Sequence, residues 1–315
     1  MTDLAPNIIC PGQGAQAIGM GRAWAQSSTH GKAVFDQADA ILGDRFGAPL
    51  SDICTNGPAE VINRTDVSQP AIYVCSIASW HGLTGGDTPS IDTTAGLSLG
   101  EYTALHLAGV FSFEDGLHLV TERGRAMQGA AEAADGGMLA VMGLDADEAQ
   151  TLCDDTLESI GGGVLVPANL NAPGQIVLSG DTAACEAAHA LCGERGQRAT
   201  PLTVAGAFHS AHMQPAADAL AAVLTDVAMQ SPSCTVWSNV TAQPHDADVD
   251  SIRTRLVEQL TSPVRWAQQC AAMVDAGHVA YTELAPGKVL RGLMRRISRD
   301  AKVTSHDEPD PTHAT

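Results

Sequence analysis

The sequence predicts an α/β fold on two observations. Short apolar runs alternate with alanine-rich helical stretches from end to end, which is typical of strands and helices that follow one another along the chain. The chain has 315 residues, 44% of them hydrophobic, so it can bury a large core in one domain or two unequal ones. This composition argues against a largely disordered protein.

The first elements follow from local sequence features. Residues 7–10 form an apolar run, which predicts a buried strand broken by the glycines that follow. Thr29 can cap a helix whose apolar positions recur with the 3.6 period up to Leu42. The same spacing predicts a helix over 71–82, and the β-branched residues 91–95 predict a strand that ends at Gly96.

The middle of the chain predicts a second, smaller unit. Strands are expected over 138–144, 175–179 and 199–204, and helices over 147–158 and 182–194. Two strand-helix-strand passages of this length resemble a ferredoxin-like unit inserted into a larger domain. The last strong helix is expected to end near Arg299, and the acidic, proline-containing residues 300–315 are expected to be disordered.

Charge and composition exclude several classes of function. A formal charge of −19 disfavours nucleic acid as the main ligand. No apolar run approaches a membrane span of about 18–20 residues, and the first residues lack the features of a signal peptide, so we expect a cytoplasmic protein that does not enter the membrane. The eight cysteines are scattered without a Cys-x-x-Cys pair, which predicts reduced core thiols and no metal site.

A candidate nucleophile lies in the segment Gly96-Leu97-Ser98-Leu99-Gly100. This Gly-x-Ser-x-Gly sequence follows a predicted strand and precedes a predicted helix over 101–108, as a nucleophile elbow requires. Glycines permit a turn tight enough to present the serine hydroxyl at the helix N-terminus. The alternative is a glycine-rich connection without catalytic function.

Three further features suit acyl chemistry, each with a simpler alternative. His209 follows a predicted strand and could activate the serine, or it could be an ordinary surface histidine. The glycines of residues 11–16 would let backbone N–H groups approach an oxyanion, or they could simply end a strand. Arg123 is unusual because the first 287 residues contain only eleven Lys or Arg, yet it could form a surface ion pair with Glu122 or a neighbouring residue.

Taken together, the motifs resemble those of the malonyl-CoA:acyl carrier protein transacylases and of the related acyltransferase domains of polyketide synthases. The resemblance covers about residues 10–297. The matching stretches, in order, are Pro-Gly-Gln-Gly-Ala-Gln from Pro11, Ser-Gln-Pro from Ser68, Gly-Leu-Ser-Leu-Gly-Glu-Tyr from Gly96, Arg-Gly-Arg-Ala-Met-Gln from Arg123, Asn-Leu-Asn-Ala-Pro-Gly-Gln from Asn169, Gly-Ala-Phe-His-Ser from Gly206, Ser-Asn-Val-Thr from Ser238, Gln-Leu-Thr-Ser-Pro-Val-Arg-Trp from Gln259 and Glu-Leu-Ala-Pro-Gly-Lys-Val-Leu from Glu283.

The resemblance implies a catalytic role for five residues. Ser98 would be the acylated nucleophile and His209 its general base, which a backbone carbonyl at Gln259 would orient. The backbone N–H groups of Gln13 and Leu99 would hold the oxyanion of the tetrahedral intermediate.

The resemblance also implies a binding site for the acyl group. The planar guanidinium of Arg123 would bind the free carboxylate of a malonyl group, which selects a dicarboxylic acyl unit. Phe208 resembles the malonyl-selective form, because its ring fills the space that an α-methyl branch would need. Further candidates for polar contacts with the acyl group are Gln69, Asn169 and Asn171.

This sequence departs from the family pattern at two positions. Leu97 stands where the family usually has a histidine before the serine, which puts in doubt a polar role at that position and leaves the nucleophile unchanged. Ala15 replaces the more usual serine, and the loss of one hydroxyl is expected to matter little.

The implied fold is an α/β-hydrolase-like core, formed by residues 1–129 and 204–299, with a ferredoxin-like subdomain over 130–203 above the cleft. The implied reaction is ping-pong transfer of malonyl from malonyl-CoA to the phosphopantetheine thiol of acyl carrier protein, for fatty-acid synthesis, by a monomer that needs no metal or organic cofactor. The same chemistry in a polyketide or malonate decarboxylase system is the first alternative. A serine thioesterase is the second, and a carrier-binding protein without activity is the third.

A basic C-terminal region is a candidate surface for the acidic carrier protein. Six of the seventeen Lys and Arg lie between positions 288 and 302, and helical spacing would place Lys288, Arg291, Arg295 and Arg299 on one face. The alternative is that these charges only complement the helix dipole and the acidic tail.

Overall fold

The computed structural model describes residues 4–309, which form two β-sheets surrounded by helices. The nine strands of this part are β1 (Asn7–Cys10), β2 (Thr93–Gly96), β3 (Gly136–Met142), β4 (Leu165–Ala172), β5 (Gln175–Asp181), β6 (Arg198–Pro201), β7 (Thr235–Val236), β8 (Ala280–Leu284) and β9 (Lys302–His306). The α/β class that the sequence predicts is therefore confirmed.

Helices connect most of these strands. In the same described residues they are α1 (Arg22–Ser27), α2 (Thr29–Leu42), α3 (Leu50–Asn56), α4 (Ala59–Ile62), α5 (Thr65–Thr84), α6 (Gly100–Leu107), α7 (Phe113–Ala133), α8 (Ala146–Ile160), α9 (Thr182–Glu194), α10 (Gln214–Asp226), α11 (Val249–Glu258), α12 (Trp266–Asp275) and α13 (Val289–Ile297), and a 3-10 turn covers Ala211–Met213. None of them is long and apolar enough to cross a lipid bilayer.

The larger sheet is parallel and has the strand order β7-β2-β1-β8-β9. Its central strand β1 is buried along its whole length, because β2 and β8 flank it and helices cover both faces. Cys10 pairs with Gly96, so β1 and β2 end side by side. This register brings the glycine-rich loop after β1 next to the serine turn after β2.

Helix α5 forms the centre of the main hydrophobic core. It packs between α2 and α7, and every residue from Val67 to Trp80 is buried. Such a helix needs apolar or small side chains on all sides, which explains why it shows no polar face. Because α7 lies against it, the Arg123 side chain of α7 points into the protein and is buried.

The smaller sheet is antiparallel, with the order β4-β5-β3-β6, and it lies between α7 and the 3-10 turn in sequence. Its chain order is β-α-β-β-α-β, and α8 and α9 bury a separate hydrophobic cluster against it. Strand β4 also joins the two parts, because the N–H of Leu170 donates to the carbonyl of Val264 and the N–H of Val264 donates to the carbonyl of Ala168.

The structure differs from the local sequence patterns at three places. The cap of α2 is Ser28, whose hydroxyl accepts the N–H of Gly31, and Thr29 is the first helical residue. Strand β4 was not expected, because its proline and asparagines interrupt the apolar pattern. The expected boundary at residue 130 lies within α7, and the first strand of the smaller sheet begins at Gly136.

The predicted disorder of residues 300–315 is wrong for the part that the structure describes. Residues Lys302–His306 form β9, which pairs in parallel with β8. Side chains reinforce this pairing, because the Ser305 hydroxyl donates to the buried Glu283 carboxylate and the N–H of Gly287 donates to Asp307. Residues 310–315 lie outside the described part.

The predicted basic stripe on the last helix is also wrong in part. Helix α13 ends at Ile297, so Arg299 and Lys302 lie beyond it. The exposed basic side chains on or next to the helix include Lys288, Arg291 and Arg295.

Candidate active site

The turn between β2 and α6 presents Ser98 in a strained conformation. A Cβ atom at Gly96 would lie 1.8 Å from the carbonyl carbon of Gly100, and one at Gly100 would lie 2.1 Å from the oxygen of Cys10, so both positions require glycine. Ser98 itself has a φ of 52°, in the left-handed region that costs a non-glycine residue about 1–2 kcal/mol. The Asn239 side chain stabilises the turn, since its Oδ1 accepts the N–H of Ser98 at 2.6 Å.

Ser98 and His209 form a hydrogen-bonded pair. The Oγ of Ser98 lies 2.9 Å from the Nε2 of His209, and the Nδ1 of His209 lies 2.7 Å from the main-chain oxygen of Gln259. A carbonyl oxygen only accepts hydrogen bonds, so Nδ1 carries the proton and Nε2 offers its lone pair to the serine hydroxyl. The histidine is therefore in the tautomer that a general base requires.

The surroundings keep His209 neutral. Burial, and then the positive charge of Arg123, lower the pKa of His209 from its ordinary value of 6.5 to about 4. A neutral imidazole at physiological pH is free to accept the serine proton.

Arg123 is 1% exposed and contacts the nucleophile directly. Its Nη2 donates to the Oγ of Ser98 at 3.0 Å and to the Oε1 of Gln259 at 2.9 Å, and its Nη1 donates to the Oε1 of Gln69 at 2.6 Å. The guanidinium carbon lies 5.2 Å from the centre of the Tyr102 ring. All of these partners are uncharged groups.

The surface ion pair that was the alternative for Arg123 does not form. Glu122 pairs instead with Arg45 and Arg125, at 2.6 and 2.7 Å. Among residues 4–309, no carboxylate forms an ion pair with Arg123, and the guanidinium lies behind Ser98, which lines the cavity described below. Burial lowers the pKa of this guanidinium, which an incoming anion would offset.

The expected oxyanion donors are free of internal acceptors. Within the described part of the chain, neither the N–H of Gln13 nor that of Leu99 donates a hydrogen bond. Gln13 and Ser98 line the same cavity, and Leu99 directly follows the serine. Both N–H groups therefore lack an acceptor within the described residues, as the donors of an oxyanion hole would.

A cavity of about 670 Å³ leads to Ser98 and His209 from between the two sheets. Asn169, Asn171 and Phe208 line it, and Gln69 lies behind Arg123. Leu97, Met127 and Leu202 add apolar wall. Six of the ten sequence-predicted residues line this cavity. The other four do not line it: Leu99 follows Ser98 in the chain, Arg123 donates to Ser98, and Gln69 and Gln259 both accept from Arg123.

Two further residues, Asn239 and Glu101, hold the nucleophile turn, although the sequence motifs assign no role to them. Asn239 holds the N–H of Ser98 and also donates to the carbonyl of Gly96 at 2.7 Å. Glu101 is buried in the first turn of α6 and accepts the side-chain amide of Gln259 at 2.6 Å. Both residues belong to the family motifs, and this membership was the sequence signal that could have identified them.

Within the described residues, no group of three or more His, Cys, Asp or Glu side chains could hold a metal ion. All eight cysteines are free, and six of them are buried.

Comparison with known proteins identifies the class. The family model of the acyl transferase domain matches residues 8–307, so this chain is an acyltransferase. The malonyl CoA-acyl carrier protein transacylase of Bacillus subtilis is 40% identical over 305 residues, which cover 96% of this chain and 93% of that protein. The chain belongs to the malonyl-CoA:acyl carrier protein transacylase family.

Solved structures agree with this assignment. The malonyl-CoA:acyl carrier protein transacylase of Xanthomonas oryzae has a TM-score of 0.90 and 38% identity, and the match covers 98% of this chain and 96% of that one. A malonyl-transacylase in complex with its type II polyketide acyl-carrier protein has a TM-score of 0.89 and 34% identity, with 96% of each chain covered.

Proposed function

We propose that this protein transfers a malonyl group from malonyl-CoA to the phosphopantetheine thiol of acyl carrier protein, through an ester on Ser98. The observation that carries this proposal is the buried guanidinium of Arg123, which lies 3.0 Å from the Ser98 hydroxyl and has no carboxylate partner among residues 4–309. A simple esterase or thioesterase has no use for such a cation, whereas a malonyl group brings the carboxylate that would pair with it.

In the first half-reaction, the Oγ of Ser98 attacks the thioester carbonyl of malonyl-CoA as its proton passes to the Nε2 of His209. The N–H groups of Gln13 and Leu99 hold the negative oxygen of the tetrahedral intermediate. The intermediate then collapses with cleavage of the C–S bond, and the imidazolium of His209 gives its proton to the departing sulfur. The products are malonyl-Ser98 and free CoA.

In the second half-reaction, the thiol of the carrier's phosphopantetheine gives its proton to His209, and its sulfur attacks the ester carbonyl. The same N–H groups hold the second tetrahedral intermediate. The C–O bond to Ser98 breaks, the serine oxygen recovers the proton from His209, and the malonyl thioester leaves on the carrier. Every bond change is accounted for by protein and substrate groups, so the proposed reaction needs no metal or organic cofactor.

The proposal includes the finer description of the fold. The parallel sheet, formed by the two outer chain segments, would be an α/β-hydrolase-like domain that carries Ser98 and His209. The inserted segment would be a ferredoxin-like subdomain, which its β-α-β-β-α-β order and its strand order support. Asn169 and Asn171 of β4 would reach from this subdomain into the acyl site, as their place in the cavity wall suggests.

The carrier of fatty-acid synthesis is the proposed acceptor. A polyketide carrier is the alternative, because a similar malonyl-transacylase forms a complex with the acyl-carrier protein of a type II polyketide system. Both carriers present the same phosphopantetheine thiol, so the chemistry at Ser98 is shared. Measurement of the second half-reaction with each purified carrier would separate them.

The test is intact mass spectrometry after mixing with malonyl-CoA, with and without the phosphopantetheine form of a carrier. We expect one malonyl group on the protein, which moves to the carrier when that is added. The Ser98→Ala protein should take up malonyl about 10⁴–10⁶-fold more slowly. Release of free malonate without any carrier product would mean a thioesterase, and normal acylation of the Ser98→Ala protein would place the nucleophile elsewhere.

A further inference from the structure

A buried charged network lies behind the reacting residues, and the proposed mechanism does not use it. Its centre is Glu101, whose side chain is 0% exposed. One carboxylate oxygen, Oε2, accepts the Nε2 amide of Gln259 at 2.6 Å and the N–H of Asn239 at 3.1 Å. The other, Oε1, lies 2.6 Å from the Nε2 of His245. Neither Glu101 nor His245 lines the cavity.

The carboxylate of Glu101 determines which end of the Gln259 amide faces the active site. A carboxylate accepts hydrogen bonds, so it takes the NH₂ group of Gln259 and turns the Oε1 of that amide towards the Nη2 of Arg123, 2.9 Å away. The NH₂ group also donates to the main-chain oxygen of Ser98 at 3.1 Å. Reversal of the amide would place two donors, the NH₂ group and the guanidinium, against each other.

Gln259 hydrogen-bonds to Ser98, His209 and Arg123, through either its side chain or its backbone. Its main-chain oxygen accepts the Nδ1 proton of His209, its Oε1 accepts Arg123, and its NH₂ group donates to the Ser98 carbonyl. A group that orients this amide therefore sets one of the three hydrogen bonds that hold the guanidinium; the other two are to Gln69 and Ser98.

His245 is the partner that a buried carboxylate requires. Its side chain is 0% exposed, and its Nδ1 has no hydrogen-bond partner, so within the described residues the imidazole hydrogen-bonds to Glu101 alone. Removal of His245 would leave one carboxylate oxygen buried without a donor, which is costly in a protein interior.

We propose that Glu101 and His245 are positioning residues for the malonyl site: they orient the Gln259 amide so that its oxygen holds the guanidinium of Arg123 towards Ser98. This inference rests on the proposed function, because it assumes that Arg123 binds the malonyl carboxylate. It assigns to His245, which lies 144 positions from Glu101 in the sequence, an influence on acyl selectivity.

The test compares malonyl-CoA with acetyl-CoA, whose acyl group has no carboxylate for Arg123 to bind. We expect Glu101→Gln to lower kcat/KM for malonyl-CoA about 10- to 100-fold, with most of the change in KM, and to lower it for acetyl-CoA less than about 3-fold. His245→Leu, which keeps the volume and removes the donor, should have the same effect. His245→Gln restores an N–H donor, and its malonyl-to-acetyl ratio should return to within about 3-fold of the wild type.

Loss of folded protein is separated from loss of orientation in two ways. All rates are divided by the concentration of protein molecules whose Ser98 can be acylated, and intact mass spectrometry measures that concentration. The matched control is Glu283→Gln, because Glu283 is also a buried carboxylate, accepts the N–H groups of Leu290 and Arg291, and has no link to Gln259. It should lower the thermal midpoint and leave the malonyl-to-acetyl ratio unchanged.

The double variant Glu101→Gln/His245→Leu should have a malonyl-to-acetyl ratio no lower than that of the more affected single variant, because both substitutions act through the Gln259 amide. An unchanged ratio in both single variants, with only the thermal midpoint lowered, would overturn the inference and leave the pair a structural element. Failure of the wild-type protein to take malonyl from malonyl-CoA would instead overturn the proposed function.

Discussion

The Nη2 of Arg123 lies 3.0 Å from the Oγ of Ser98, so the cation that we propose for the malonyl carboxylate also contacts the nucleophile. The serine oxygen accepts from Arg123 on one side and lies 2.9 Å from the Nε2 of His209 on the other. A positive charge beside the oxygen favours the negative charge that develops there as the proton leaves. One buried arginine can thus serve both selection of the acyl group and activation of the hydroxyl.

Arg123→Ala should change selectivity more than it changes the reactivity of the serine. Each charge-assisted hydrogen bond to the carboxylate contributes about 1.5–3 kcal/mol, so the kcat/KM ratio of malonyl-CoA to acetyl-CoA should fall at least 10-fold. The two specificity constants measure this. The control is Arg125→Ala, which removes an exposed arginine paired with Glu122 and should leave the ratio as it is. An unchanged ratio in the Arg123 variant would remove that residue from the carboxylate site.

The pH dependence of acylation should report the lowered pKa of His209. Acylation needs the neutral imidazole, and burial together with Arg123 lowers its pKa to about 4. The rate should therefore stay level as the pH falls through 6.5 and decline only nearer 4. Modification of Ser98 by phenylmethylsulfonyl fluoride measures this without the malonyl carboxylate.

The same measurement on Arg123→Met tests the cause of that shift. Removal of the nearby positive charge makes protonation of His209 easier, so the midpoint should move upwards, towards 6.5. It should not reach 6.5, because burial is the larger cause and remains. A midpoint near 6.5 in the wild-type protein would contradict the buried, neutral histidine.

Phe208→Ser should admit a branched acyl group. Phe208 is buried in the wall of the cavity beside His209. We propose that its ring occupies the space that an α-methyl group would need. A difference of one methyl group corresponds to about 1–3 kcal/mol, so the kcat/KM of methylmalonyl-CoA relative to malonyl-CoA should rise about 10- to 200-fold. Phe208→Leu should give an intermediate value. No change in either variant would show that another wall sets the selectivity.

Charge reversal on α13 should weaken the second half-reaction alone. Arg291 and Arg295 are exposed, and α13 packs against β4, which contributes to the cavity wall. The variant Arg291→Glu/Arg295→Glu should raise the KM for an acidic carrier, most at low salt, and leave acylation by malonyl-CoA nearly unchanged. The control is the variant Lys32→Glu/Arg195→Glu, which changes the net charge by the same amount on α2 and at the end of α9. Equal effects of both pairs would place the carrier surface outside α13.

Where a local rule was sufficient, the sequence predicted the structure well. The strand over 7–10 and the helix over 182–194 have the expected bounds, because apolar runs and helical spacing act within a few residues. The serine turn was also predictable, since Gly96 and Gly100 are needed at short range. The resemblance then brought Ser98, His209 and Arg123 together before any distance was known.

What the sequence by itself determined is therefore local: strand, turn and helix around Ser98, and the residue types that acyl transfer needs. Only the tertiary structure decided that residues 302–306 form a strand, because a strand takes its backbone hydrogen bonds from a neighbour, here β8. It alone joined Glu101 to Asn239, His245 and Gln259, which lie 138 to 158 positions away. A buried carboxylate must find donors wherever the fold brings them, and no spacing along the chain reveals which donors those are.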